Sequence, residues 1–387
     1  MDRRQFLIRF GAARAALAAS TPAVAMLRTP PHVAQKMRVG VIGCGSVSNS
    51  YLPNLSASPY VELVSTCDIK PERAKAQAER FQIPHDYPHI DAMLDGSPFD
   101  MLINLTDMQE HGRLNRQALE AGRHVWSEKP LATTYDDGLQ LLELARAKGL
   151  SLWGAPAVVT SPQFAFMARV LNEGRLGTVA AAHAEYGHTG PTWSAFFYEK
   201  GGGSMPDLGV YNLTTLTGLL GPARAVMAMT SILTPTRAVD DKGEIRVEAE
   251  DNAMVLMDHG GGTFSHVQSG FNYYDPHGHH GGLARPTIHL YGKKGNMGMV
   301  AYDWAPEGVD LVTEGAEAPE RHCEDPQGYV WQWGASYVIE RMLKGERSLV
   351  TPEHALHVLE IMEAARASQE AGRRIELRSS FAWPVVS

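Results

Sequence analysis

From Met37 to about Pro156 the chain alternates short apolar runs with helical stretches, and the first run breaks on a glycine-rich turn. That alternation demands a parallel sheet with helices on its faces, because parallel strands need long crossovers and buried flanks. The spacing predicts strands at Met37–Ile42, Val61–Cys67, Met101–Leu105, Val125–Ser127 and Ser151–Gly154. Helices fall between them: near Val47–Ser56, at Pro71–Phe81, over about Gln109–Ala121, and from a Thr134 cap to Lys148. Pro71 at a first turn and Thr134 before Asp136 and Asp137 are the start signals such helices use.

Beyond Ser161 the pattern changes. One helix (about Pro162–Gly174) leads into strand-like runs at Val179–Tyr186, Ala223–Thr230, Ile245–Met257, Gly262–Gly270 and Pro286–Tyr291. Few helices separate them, which predicts a mostly antiparallel sheet. A helix at Asp207–Leu220 interrupts the run, and Tyr329–Lys344 and Pro352–Ala371 close the chain. The expected fold is therefore an α/β Rossmann domain over 37–156, then an α+β domain with an open sheet over 157–387. The closing helices are free to pack back on the first domain.

The front end reads differently. Arg3-Arg4 precedes Phe6-Leu7 and an Ala-rich stretch ending in Ala23-Val24-Ala25, the pattern of a twin-arginine export signal over 1–25, with a linker over 26–36. The expected location is periplasmic, or otherwise exported by that route. The net charge is −8, and more acidic still without the arginines of the first 25 residues, which disfavours nucleic acid and anionic lipid as partners. No uncharged apolar run reaches the ~18–20 residues a membrane span needs. Three cysteines are too few for a disulfide framework. Cys44 and Cys67 end adjacent strands, but a bond between them would distort the turn, so free thiols are expected.

The turn itself is Gly43-Cys44-Gly45-Ser46-Val47, with Ser48 where a third glycine commonly stands. Gly43 permits the tight turn, and Gly45 lets backbone N–H groups approach a pyrophosphate at a helix N-terminus. Asp68 ends the second strand, where a carboxylate can bind both ribose hydroxyls. A carboxylate there disfavours a 2′-phosphate, so NAD is favoured, and Lys70 leaves NADP open. Glu128-Lys129-Pro130 follows the strand ending at Ser127, which aims Lys129 into the cofactor crevice. Thr106 and His111 are candidates for the nicotinamide side of that crevice.

In the second domain, Gly201-Gly202-Gly203 precedes Asp207 and Tyr211, four apart and hence on one helix face, with Leu213, Leu216 and Leu220 opposite. Trp193, Phe197 and Tyr198 are equally suited to stacking on a sugar ring or to core packing. The loop Tyr274-Asp275-Pro276-His277-Gly278-His279-His280 fits no recognised zinc spacing, so no metal is expected, and His279 is instead a substrate-side candidate.

Taken in order, these pieces resemble the glucose–fructose oxidoreductase/inositol dehydrogenase (Gfo/Idh/MocA) family along nearly all of the mature length. The matching residues are the Gly43–Gly45 turn, Asp68, Thr106 with His111, Glu128-Lys129-Pro130, Gly201–Asp207–Tyr211, the Gly292–Gly295 turn and the closing Thr351–Leu377 stretch. The resemblance implies a bound nicotinamide cofactor, sugar or polyol substrates, a frequently cis Pro130, and homo-oligomers formed through the open sheet. Two departures stand out. Tyr211 occupies a position where many members carry histidine, and Asp107 replaces a proline after the threonine.

The expected chemistry is hydride transfer between a sugar carbon and the nicotinamide. Tyr211, its pKa lowered by Lys129, would take the hydroxyl proton while Asp207 orients the substrate; Lys129 is the alternative base. An exported enzyme meets little free NAD, so the cofactor should stay bound and be restored in each cycle. Exchange between two sugars does this. So does a cofactor-assisted glycoside hydrolase that oxidises, eliminates, adds water and re-reduces. A non-catalytic cofactor-binding sensor is a third reading.

Overall fold

The computed structural model describes residues 35–274 and 285–386. The first half runs β1 (Met37–Ile42), α1 (Ser48–Ala57), β2 (Val61–Cys67), α2 (Pro71–Phe81), β3 (His85–Tyr87), α3 (Ile90–Asp95), β4 (Met101–Asn104), α4 (His111–Glu120), β5 (His124–Ser127), α5 (Tyr135–Ala147) and β6 (Leu152–Gly154). Its strands form one parallel sheet, ordered β3-β2-β1-β4-β5-β6. β4 is buried along its whole length and β1 almost so, as strands covered on both faces must be. The order reverses between β1 and β4, which opens a crevice at their carboxyl ends.

The second half runs α6 (Pro162–Asn172), β7 (Val179–Gly187), α7 (Val210–Leu220), β8 (Ala225–Ser231), β9 (Thr236–Val239), β10 (Gly243–Arg246), β11 (Asn252–Gly260), β12 (Thr263–Gly270), β13 (Pro286–Gly292), β14 (Gly295–Val300), β15 (Gly308–Thr313), β16 (Glu320–His322), α8 (Gly334–Lys344), α9 (Pro352–Ala371) and β17 (Ile375–Glu376). The large sheet is ordered β16-β15-β14-β13-β7-β12-β11-β8-β17 and is antiparallel except for the β7–β12 pair. Along β11, Ala253, Val255 and Met257 turn inward to the helices while Met254 and Leu256 face out. The α/β half followed by an open, mostly antiparallel sheet is the expected fold class.

Helix α9 joins the halves. Its Glu363 carboxylate accepts the Tyr135 N–H at 2.6 Å, and Glu353 pairs with Arg146 at 2.8 Å. Thr351 caps α9, Pro352 opens it, and Gly372 closes it in the left-handed region at φ 62°.

Two expected elements are corrected. Ile245–Met257 is not one strand: β10 ends at Arg246, pairs with β9 as a separate hairpin, and β11 begins only at Asn252. The helix read as Asp207–Leu220 begins with a wide π-helical turn at Met205–Gly209 and becomes regular at Val210. The Gly203 backbone sits at φ 117°, and the Glu250 carboxylate fills the space where a side chain would stand.

Candidate active site

A cleft of about 1220 Å³ opens at the carboxyl ends of β1, β2, β4 and β5 and is closed on its far side by the large sheet and the 190–197 segment. Gly43, Gly45, Ser46, Val47, Asp68, Thr106, Glu128, Lys129, Asp207, Tyr211 and Trp193 all line it. Gly43 holds φ 88°, and the Leu105 backbone lies 2.5 Å from where a Cβ would stand, so only glycine fits. A Cβ on Gly45 would meet only the Arg73 side chain, at 3.7 Å, which leaves the turn open to the cleft. The Asp68 carboxylate accepts the N–H groups of Cys44 and Lys70, both at 2.8 Å. These bonds aim it at the end of β2, where a ribose diol would lie. Turn and carboxylate together fit a nicotinamide dinucleotide.

Lys129 lies beside a cis Lys129–Pro130 bond, and Glu128 anchors this loop. One Glu128 oxygen accepts the Tyr51 phenol at 2.6 Å and the other accepts the Lys129 N–H at 3.0 Å. The Lys129 ammonium crosses the cleft to donate to the Asp207 carboxylate at 2.7 Å and to its carbonyl at 2.8 Å. It also lies 5.3 Å from the centre of the Tyr211 ring. Ammonium, carboxylate and phenol, read from three places in the chain, therefore converge.

One electrostatic expectation is corrected. The Tyr211 phenol is held well above its ordinary value, not below it: burial dominates, and Glu128, Tyr186 and Asp207 add to it. Lys129 sits over the ring face rather than at the phenol oxygen, so its charge does little to favour the phenolate.

Three other candidates lie elsewhere. His111 is buried, with one ring nitrogen 2.6 Å from the Pro130 carbonyl and the other 2.9 Å from that of Thr106. It ties the two loops together behind the cleft wall. Cys44 is buried beneath the turn, its thiol against the Cys67 carbonyl and, like that of Cys67, pushed up to about 12 by burial. Only its backbone serves the site. Tyr198 is a core residue whose phenol donates to the Pro191 carbonyl at 2.7 Å, with Arg237 over its ring. His279 and the arginines of the front end lie outside the described residues. Among the described residues, no group of three His, Cys, Asp or Glu side chains is placed to hold a metal ion, and no helix is long and apolar enough to cross a membrane.

Sequence reasoning missed Tyr186, Trp304 and Trp331, which line the same cleft. Nothing local marks them, since β7, the β14–β15 connection and the turn before α8 meet only in the folded chain. Arg73 was legible in principle, at the first turn of α2 and one residue before Ala74, the first of that helix's buried residues.

Two family profiles match the chain, described as "Oxidoreductase family, NAD-binding Rossmann fold" over residues 37–155 and as "GFO/IDH/MocA C-terminal domain" over 164–297, together well over half its length. The chain is 32% identical over 190 residues to a dTDP-3,4-didehydro-2,6-dideoxy-alpha-D-glucose 3-reductase of Streptomyces violaceoruber, covering 48% of this chain and 55% of the reductase. It thus spans little more than half the length of that relative. A trans-1,2-dihydrobenzene-1,2-diol dehydrogenase of Mus musculus is 24% identical over 339 residues, 85% of this chain and 96% of the dehydrogenase. Among solved structures, an aldose-aldose oxidoreductase from Caulobacter crescentus in complex with glycerol superposes with a TM-score of 0.75 at 22% identity, covering 89% of this chain and 100% of that one.

Proposed function

The chain belongs to the GFO/IDH/MocA oxidoreductase family, and on that premise we propose that it interconverts a hydroxyl-bearing carbon of a sugar or sugar derivative and the corresponding carbonyl. A nicotinamide dinucleotide, bound on the Gly43–Gly45 turn and Asp68, supplies the hydride acceptor or donor. The observation that carries the reading is the Lys129–Asp207 pair at 2.7 Å, with the Tyr211 ring beside it, in the cleft that begins at that turn.

The residues divide the work by charge. Lys129 polarises the substrate oxygen, and the proton released from the hydroxyl passes to the Lys129–Asp207 pair. The Tyr211 phenol, neutral through ordinary pH, donates a hydrogen bond to the same oxygen; the upward shift of this phenol supports the Lys129–Asp207 pair over Tyr211 as the proton acceptor, the Asp207 carboxylate taking the proton while the Lys129 ammonium stays charged. His111 and Glu128 keep the Thr106 and Lys129 loops in place.

The proposal extends to location and assembly. The Arg3-Arg4 segment supports export, and cleavage after Ala25 in a secreted fraction tests it. Exposed Met229, Leu256 and Phe264 on the outer face of the large sheet support a homo-oligomer formed there. The central test is direct. The purified protein is denatured and the released dinucleotide identified, and the intact protein is then titrated with sugars while the reduced-nicotinamide absorbance is followed. Sugar-dependent change, lost in Lys129→Met, is expected; bound dinucleotide that no sugar oxidises or reduces would leave a sensor. Net hydrolysis of a nitrophenyl glycoside without added NAD would instead identify the glycosidase reaction.

A further inference from the structure

The walls of the cleft differ sharply in charge. The cations on it come from the nucleotide-binding half: Lys70 and Arg73 follow β2 beside Asp68, and Arg113 is on α4. Arg113 is paired with Glu110 at 2.5 Å, and Lys129 is already committed to Asp207. Among the described residues, the second half contributes no lysine or arginine to the cleft, but it does contribute Asp207 and Asp241. Asp107, which resemblance led one to expect as proline, faces them from the first half. Its carboxyl is pushed up by burial and by the charges of Asp241 and Asp68.

What the second half supplies instead is rings. From Tyr211 an aromatic wall runs through Tyr186 (6.3 Å between centroids) to Trp304 (6.4 Å) and on to Trp331 (6.4 Å). A second group stands on the 190–197 segment, where Trp193 meets Phe197 edge-on at 4.7 Å and Phe196 at 5.3 Å. Trp193 is 48% exposed, and its indole lines the cleft. Asp241 holds this segment down, accepting the Ser194 hydroxyl at 2.7 Å and the Ala195 N–H at 2.9 Å. Ring faces accept the C–H face of a pyranose, while its hydroxyls reach the few polar groups at the rim. A phosphate or diphosphate against this wall would face Asp241 and Asp107, Asp207 being balanced by Lys129, and among the described residues the second half offers the cleft no lysine or arginine to pair with it, so like charges would meet unrelieved.

We propose that the sugar taken by this cleft is uncharged, a free pyranose or simple glycoside without a phosphate or nucleotide group. The inference rests on the sugar-oxidoreductase reading for its site, but binding alone decides it. The full chain loaded with NAD is titrated calorimetrically with a panel of hexoses and methyl hexosides, and with the 1-phosphates and dTDP esters of the same sugars. The best neutral sugar should bind at least tenfold more tightly than its charged counterparts. Trp193→Ala should weaken it at least fivefold with NAD affinity unchanged, and Asp241→Asn should narrow the preference against phosphate several-fold. Equal or tighter binding of a phosphorylated or dTDP-linked sugar overturns the proposal, as does failure of every neutral sugar to bind. Neutral-sugar binding with no nicotinamide absorbance change would leave this proposal standing and remove the redox reading instead.

Discussion

Lys129 and Asp207 are the residues on which the site turns, since their side chains are only 11% and 13% exposed and each is the other's charge partner. Removing one partner of such a pair strands the other charge, which typically costs ~3–5 kcal/mol. Lys129→Met is therefore expected to lower the melting temperature as well as turnover. The turnover loss should be ~10²–10⁴-fold if the Lys129–Asp207 pair handles the proton, with dinucleotide affinity within a few-fold because Asp68 and the glycine turn are untouched. Stopped-flow absorbance and fluorescence titration separate the two effects. Tyr211 makes a sharper prediction. Burial holds its phenol protonated, so Tyr211→Phe should cost ~1.5–3 kcal/mol of transition-state stabilisation, the worth of a hydrogen bond to a charged group, without moving the basic limb of the pH–rate profile. A limb that disappears in Tyr211→Phe would show that the phenol does titrate in the reaction.

The π-helical turn at Met205–Gly209 and helix α7 that continues it deliver Asp207 and Tyr211, and two buried carboxyls hold this joined element. Glu250 accepts the Met205 N–H at 3.0 Å at its start, and Asp303 accepts Asn212 at 3.1 Å and Thr215 at 2.7 Å along it. Burial raises Glu250 from 4.5 to about 7 and Asp303 from 3.8 to about 6. As pH climbs from about 4 toward 7 the unfolded carboxyls ionise first, so this contribution to stability falls across that window, at ~1.4 kcal/mol per pH step and group. Buried His354 and His357, lowered to about 3 and about 4, act in the opposite sense below pH 6.5. The prediction is therefore placed on a difference. Glu250→Gln should be more stable than the parent by ~1–3 kcal/mol at pH 8 and indistinguishable from it at pH 4.5, read from urea unfolding. How far the elements were legible follows from the same local physics. Pro352, Thr351 and Gly372 announce α9 to the residue, and β2 and α2 are framed as clearly. The β9–β10 hairpin is not legible, because Ile245, Val247 and Ala249 keep a strand-like alternation through the break. Lys129, Asp207 and Asp68 carried spacing signals, whereas His111 and Tyr198 read as site residues until the fold showed what occupies their polar atoms.

At the scale of the molecule, the outer face of the large sheet is the surface left unexplained by the cleft. Met227, Met229, Met254, Leu256, Phe264 and Tyr291 are each 44–76% exposed there, on neighbouring strands from β8 to β13. Five strands about 4.8 Å apart and about 25 Å long present roughly 600 Å², close to the ~800 Å² each partner gives a standard interface. A second copy laid on this face would bury the patch, and Leu256→Glu should yield a monomer of unchanged circular dichroism, measured by light scattering. The face also carries a pH-dependent feature. His183 and His266 pair across β7 and β12 with their Nδ1 atoms 2.9 Å apart, and His289 is the next residue across in β13. Burial is the main cause holding His183 and His266 below their ordinary value; Arg285 and His289 add to it for His183, and Glu185 opposes. Both rings are thus neutral near pH 7 and share one proton between the facing nitrogens. Below their lowered values both must charge, and two imidazolium groups in contact inside an apolar interface repel each other while losing water. Assembly should therefore weaken on acidification, and His183→Gln should move that transition to lower pH. A dimer whose dissociation by sedimentation velocity shows no difference between pH 7.5 and pH 5 would place the subunit contact on another surface.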